Sequence, residues 1–208
     1  MLLDIGMIIL AYLIGSISTG YVAGWLMRGI DIRQYGSGRT GGTNALRTLG
    51  PVGAAITAAG DVGKSAAAVA LVQWLGLPPV VVALAGLAAV LGHNYPIYLR
   101  FRGGAGVAPT IGALLMINLW MGLGLVAVAV VLVVITRYTS AGSLTLVNLT
   151  PPVMVALALA RELPWAYLIL GVTVAILVTW SHRPNIARLR AGTERKLGEG
   201  GHKMAANP

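Results

Sequence analysis

Residues 110–135 read TIGALLMINLWMGLGLVAVAVVLVVI, a stretch without a charge and with one amide, Asn118. As a single helix it would be ~39 Å long, more than a ~30 Å bilayer core requires. Asn118, Gly122 and Gly124 are its plausible breakers. Whether it crosses once or turns back decides the sidedness of everything around it. The other candidate spans are 5–27, 51–76, 79–98, 143–160 and 164–181. Basic loops favour the cytoplasmic side. The 28–50 loop carries Arg28, Arg33, Arg39 and Arg47, the 99–109 loop Arg100 and Arg102, and the tail Arg183, Arg188, Arg190, Arg195 and Lys196. Six simple spans would put Arg137 and the basic tail outside. A turn between Asn118 and Gly124 removes the conflict. The expectation is an all-α integral membrane protein of seven helices, two of them short, with the amino terminus outside and the carboxyl terminus cytoplasmic. One long tilted helix that obeys the charge rule weakly is the alternative.

Composition agrees with that class. Hydrophobic residues make up 57% of 208, charged residues 10%, and the mean hydropathy is +0.81. A soluble core of this size could not hide so many apolar side chains. The net charge of +9 lies in the gaps between apolar runs, where it orients the chain and meets anionic lipid rather than nucleic acid. The absence of cysteine excludes disulfides and thiolate metal sites. Residues 1–27 lack a basic leader region and read as a retained helix. Residues 1–196 form a single transmembrane domain, and 197–208 a glycine-rich polar tail expected to be disordered.

The polar turns carry the chemistry. Gly36-Ser37-Gly38-Arg39-Thr40-Gly41-Gly42-Thr43-Asn44, between Arg33 and Arg47, combines turning glycines, hydroxyl donors and guanidinium groups. That set suits a phosphate. His93-Asn94-Tyr95-Pro96, followed by Arg100 to Val107, makes a second glycine-rich basic loop; Pro96 stops or kinks the preceding helix. Arg137 to Ser143 and Trp180 to Asn185 make two more, and Ser143 is also a candidate helix cap. All four fall on the expected cytoplasmic side. Asp61 and Lys64 lie inside the second span, three residues apart on one helix face, where they can pair. The pair is either a structural ion pair or a lysine aimed at an anionic substrate. Gly60 to Ser65 resembles a nucleotide loop but lacks its first glycine, since position 58 is Ala. The three histidines, His93, His182 and His202, show no metal-ligand spacing, so no metal or other cofactor is expected.

Order and spacing of these turns resemble the bacterial acyl-phosphate-dependent glycerol-3-phosphate acyltransferases, the PlsY family. Gly15-Ser16-Ile17 with Tyr21 resembles its first-helix motif. Asp31-Ile32-Arg33, Gly36 to Gly38, Gly41 to Asn44, Arg47 and Gly50 resemble its first loop. Asp61 and Lys64 match its intramembrane Asp-x-x-Lys. Gly92-His93, Pro96, Phe101, Gly103-Gly104 and Gly106-Val107 resemble its second loop. Arg137-Tyr138, Ser140 and Ser143 resemble its third. His182-Arg183, Asn185-Ile186, Arg188-Leu189 and Gly192 to Glu194 resemble its tail.

The resemblance implies transfer of an acyl chain from acyl phosphate to the 1-hydroxyl of glycerol 3-phosphate, on the cytoplasmic face of the bacterial inner membrane. It implies membrane lipids as surroundings and no cofactor. Ser37, Arg47, Lys64, His182 and Asn185 would be catalytic. Gly38, Arg39, Thr43, Asn44, His93, Gly103, Gly104, Ser143 and Arg183 would bind substrate. Within that set Ser37, Gly38, Thr43 and Asn44 would hold the acyl-phosphate head or carbonyl, and Arg47 and Lys64 would neutralise phosphate. His93 and Ser143 would line the pocket, while His182, Arg183 and Asn185 would hold glycerol 3-phosphate. An acyl phosphate is already activated, so no covalent enzyme intermediate is required.

The chain departs from the family pattern at Ala105, where the second loop usually carries Lys, and at Arg39, where the first usually carries Asn. Ser18, Ser65 and Pro109 replace a proline, a glycine and a threonine. Arg39 is expected to supply the charge lost at Ala105. The competing readings are a divergent paralogue with another donor or acceptor, a small-anion transporter, and a non-catalytic membrane scaffold.

Overall fold

A computed structural model describes residues 1–199. It is all helical: α1 Leu2–Ser16, α2 Thr19–Arg28, α3 Gly42–Trp74, α4 Pro79–Asn94, α5 Val107–Ile117, α6 Leu119–Thr136, α7 Thr139–Leu159, α8 Leu168–Ser181 and α9 Arg183–Arg190. Short 3-10 turns occupy Ile32–Gln34, Ile97–Leu99 and Trp165–Tyr167.

The 110–135 stretch breaks at Asn118. Its backbone is extended (φ −154°), its N–H closes α5 on the Leu114 carbonyl at 2.9 Å, and its side-chain Oδ1 accepts the Met121 N–H at 2.9 Å. One amide thus ends one helix and caps the next. Gly122 and Gly124 sit inside α6. The expectation of two short halves needs correction: α6 has 18 residues, enough to cross alone, whereas only α5 is short, with 11 residues or about 16 Å.

Two further breaks position the polar end. The first expected span parts at Ile17–Ser18 into α1 and α2. Within α3, Gly50 takes φ 83°, a conformation open to glycine, and Pro51 starts a new segment. Gly42–Leu49, expected as loop, is therefore a helical turn set at an angle to the long run that follows.

Small residues allow the close crossings. Gly15 of α1 abuts the Ala89 carbonyl and Gly92 of α4 abuts the Tyr12 carbonyl, so no side chain fits at either point. Gly112 of α5 abuts the Val62 carbonyl of α3. The buried core runs through α4, with Val82, Ala85, Ala89 and Val90 facing Val69 and Val72 of α3, Leu114 of α5 and Leu170 and Val174 of α8. Large apolar side chains also cover the outside, including Leu26, Trp120, Val134 and Ile135, each more than 70% exposed. That inversion fits lipid as the solvent. Among the described residues five helical stretches are long and apolar enough to cross, or six if α8 and α9, bent by 60°, count as one. The expected tail at 197–208 lies outside the described residues from 200 onward; Leu197 donates its N–H to the Arg137 carbonyl at 2.7 Å.

Candidate active site

All four polar turns line one cavity of about 570 Å³. The first loop and the first turns of α3 contribute Ser37, Arg39, Thr43, Asn44 and Arg47. The middle of α3 adds Asp61 and the end of α4 His93. The start of α5 adds Ala105 to Ala108, the start of α7 Ser140 and Ser143, and the tail His182, Asn185, Arg188, Glu194 and Arg195.

Asn44 builds the first wall. Its Nδ2 donates to the carbonyls of Ile32, Tyr35 and Arg39 at 3.1, 3.1 and 2.8 Å, and its Oδ1 accepts the Ser37 N–H at 3.0 Å. Gly36, with φ 61°, packs against that same Oδ1, where a Cβ would overlap it. Asn44 is thereby committed to shaping the loop. Arg33 is committed as well. It pairs with Asp31 at 2.7 Å, donates to the Leu99 carbonyl and lies over the Tyr21 ring. Its hydrogen bonds hold the Asp31 carboxyl below its ordinary value.

Glu194 builds the opposite wall. Its carboxylate accepts Asn185 Nδ2 at 2.6 Å, Ser140 Oγ at 2.9 Å and Arg188 Nε at 2.7 Å, which joins α9 to α7. Burial alone would raise this carboxyl; the three hydrogen bonds outweigh it and hold the group below its ordinary value. His182 Nδ1 lies 2.8 Å from the Val178 carbonyl. A carbonyl only accepts, so Nδ1 carries the proton and Nε2 is left for a ligand.

The charge balance of the cavity is positive. Glu194 is paired with Arg188 and Asp61 with Lys64, while Arg39, Arg47 and Arg195 take part in no ion pair among the described residues. Three unpaired guanidinium groups in one cavity invite phosphate. The lining also has an apolar part, made by Leu46, Ala54, Ala58, Val107, Ala108 and Ile111 from α3 and α5. A phosphate end beside an apolar groove suits a lipid-like molecule with an anionic head. Among the described residues no group of three His, Asp or Glu gathers to hold a metal.

The structure does not bring every expected site residue to this cavity. Lys64 stands behind its wall, with Nζ bonded to Asp61 at 2.8 Å, the Ile17 carbonyl at 2.6 Å and His93 Nδ1 at 3.1 Å. Gly38 is absent from the lining. Gly103 and Gly104 spend their N–H groups on the carbonyls of Asn94 and His93. Arg183 stacks on Trp180 and faces a second cavity of about 240 Å³, which Gly104 also lines and which Arg39 and Pro184 share with the first. Arg188, Glu194 and Arg195 line the main cavity without having been singled out as site residues. Their signal in the sequence was the tail's motif order, but which tail charges turn inward depends on the 60° bend after α8.

Comparison with known proteins agrees with this geometry. The family profile of glycerol-3-phosphate acyltransferases matches residues 5–192. A glycerol-3-phosphate acyltransferase of Shouchella clausii is 44% identical over 197 residues, covering 94% of this chain and 96% of that one. The enzyme of Thermus thermophilus is 42% identical, covering 92% and 94%. The crystal structure of PlsY, an integral membrane glycerol 3-phosphate acyltransferase, in its glycerol 3-phosphate form superposes with a TM-score of 0.85 at 33% identity, covering 94% of this chain and 96% of that one. Its lysophosphatidic acid form gives 0.83 at 32% identity, covering 94% and 95%. The chain belongs to the glycerol-3-phosphate acyltransferase family of integral membrane proteins.

Proposed function

We propose that this chain transfers an acyl group from an acyl phosphate to the 1-hydroxyl of glycerol 3-phosphate, releasing lysophosphatidic acid and inorganic phosphate. The observation that carries the reading is the cavity itself, which three arginines without an ion pair among the described residues line together with an apolar set from α3 and α5. In the reaction the hydroxyl oxygen bonds to the acyl carbonyl carbon, the carbon–oxygen bond to phosphate breaks, and the hydroxyl proton leaves with the phosphate. Arg47, with Arg39 and Arg195, offsets the repulsion between two anionic substrates and stabilises charge as the phosphate departs. Ser37 and Thr43 supply neutral donors, His182 Nε2 supplies an acceptor for a hydroxyl, and Ser143 adds to the wall. Asn185, held by Glu194, orients the acceptor. The acyl chain lies along Ala54, Ala58, Ala108 and Ile111 and leaves toward lipid, since the Gly112–Val62 contact closes the groove between α3 and α5. Arg39 and Ala105 line the same cavity, which supports Arg39 as the cation that serves there in place of a lysine.

The break at Asn118 supports seven membrane segments, with α5 as a short one, the amino terminus outside and the cavity on the cytoplasmic side of the inner membrane. The clustering of basic loops at the cavity end supports that sidedness. The test uses purified protein with acyl phosphate and glycerol 3-phosphate. Lysophosphatidic acid and phosphate should appear in equal amounts. A transporter would instead move phosphate across sealed vesicles without product, and a scaffold would do neither.

A further inference from the structure

The main cavity is polarised by one carboxylate that the anion chemistry does not call for. Asp61 is 1% exposed, sits on α3 about one turn beyond Ala58 and lines the cavity. Its Oδ1 lies 2.8 Å from Lys64 Nζ and 3.4 Å from His93 Nδ1. Its Oδ2 is buried and has no hydrogen-bond partner among the described residues. A buried carboxylate oxygen left unpaired by the protein is costly unless a ligand completes it. Lys64 cannot be a phosphate ligand while it is spent on Asp61, Ile17 and His93. Lysine only donates, so at 3.1 Å it makes His93 Nδ1 an acceptor and leaves the ring proton on Nε2.

We infer that Asp61 is the hydroxyl ligand of the acceptor: its Oδ2 accepts a hydrogen bond from a glycerol hydroxyl, with Lys64 as counter-charge and positioning residue. This rests on glycerol 3-phosphate being the acceptor. That molecule is an anion at one end and a diol at the other. A carboxylate repels the first and binds the second, while Arg39, Arg47 and Arg195 do the reverse. The cavity therefore admits it in one orientation, with hydroxyls toward α3 and α4 and phosphate toward the arginines. Lys64, at 2.8 Å, offsets the cost of burying the Asp61 charge and fixes the carboxylate in place.

The test compares wild type with Asp61→Asn, Lys64→Met and the double variant, each checked for thermal stability in detergent. Acceptors are glycerol 3-phosphate and 3-hydroxypropyl phosphate, which lacks the secondary hydroxyl. Asp61→Asn should raise KM for glycerol 3-phosphate about 10–100-fold and leave KM for acyl phosphate within about twofold. The double variant restores charge neutrality, so it should recover stability but keep the raised KM. Recovery of both stability and KM would show a purely structural pair and overturn the inference. If Asp61→Asn narrows the preference for glycerol 3-phosphate over the analogue, the ligand is the secondary hydroxyl. An equal loss of kcat/KM on both acceptors assigns the primary one. A wild-type measurement covers variants that fail to fold. The chain has only Asp4, Asp31 and Asp61, so carbon-13 aspartate labelling reports Asp61 by infrared difference spectroscopy. Adding glycerol 3-phosphate should shift one carboxylate band, and unmoved bands would overturn the inference. Failure of acyl transfer in wild type would instead count against the proposed reaction.

Discussion

Asn185 Nδ2 donates to Glu194 Oε1 at 2.6 Å, and Ser140 Oγ donates to the same oxygen at 2.9 Å. One carboxylate thus fixes a cavity residue of α9 against the start of α7, and Arg188 closes the cluster on its second oxygen. Replacing Glu194 by Ala leaves buried Ser140 and half-buried Asn185 without their acceptor. Each unsatisfied group costs about 1–3 kcal/mol. Glu194→Ala should lower thermal stability and reduce kcat/KM for glycerol 3-phosphate about tenfold or more. Glu194→Gln, which keeps one acceptor oxygen, should fall between it and wild type.

Glu194 also predicts an acid limb. Its folded-state carboxyl lies below the ordinary value of 4.5, so its contribution is fully present above that value. As pH falls below about 4.5 the contribution shrinks, and it is gone once pH has passed the folded-state value. Asp31, also held down, titrates in the same direction. Wild-type stability should therefore decline below about pH 4.5, and Glu194→Gln should show a shallower decline over that window. Equal slopes for the two proteins would remove Glu194 from the account.

Arg47 lines the cavity and is in no ion pair among the described residues. Its charge is available for substrate, and removing it should not leave a carboxylate stranded. Arg47→Ala should reduce kcat/KM about 10²–10³-fold with little loss of thermal stability. Arg47→Lys keeps the charge but loses the planar fork, and should recover only part of the activity. A kinetic assay beside a melting curve separates this from a folding defect.

Gly104 has no room for a side chain, because a Cβ there would overlap His93 Nε2. Gly104→Ala must displace the imidazole from its place beside Lys64 and Asp61. Overpacking of this kind costs about 1–3 kcal/mol. Activity should fall at least as far as in His93→Ala, and stability should fall with it. Gly41→Ala, where nothing lies within 4 Å of the added carbon, is the control and should melt like wild type.

The all-helical membrane class, the break in the 110–135 run and the polar end were legible because they follow from short-range signals; the count of seven was not, since the first span parts at Ile17–Ser18 and the tail forms a further helix. A charge-free run too long for one span needed a breaker, and Asn118 offered both an amide cap and a turn. The glycine-rich loop read as a phosphate-binding turn, and its residues Ser37 and Thr43, with Arg47, do line the cavity. What stayed hidden depends on contacts distant in sequence. Lys64 reads as a substrate cation until the break at Ile17–Ser18 presents a carbonyl to it and His93 arrives from α4. Arg183 reads as a partner of His182 until its stacking on Trp180 turns it to the smaller cavity. Asn44 reads as a ligand until its amide is found holding four loop contacts. Gly50 gave its φ 83° kink away only in part, since Pro51 marks a start but not the angle of the turn before it.

The central claim is that one cavity orients glycerol 3-phosphate between an arginine side and the Asp61–His93 side. A structure of the protein with glycerol 3-phosphate bound tests it most directly. The account predicts phosphate oxygens within hydrogen-bond reach of the Arg47 or Arg39 guanidinium, hydroxyls toward Asp61, and Asn185 still on Glu194. Phosphate seated against Asp61, or the ligand held outside this cavity altogether, would contradict it.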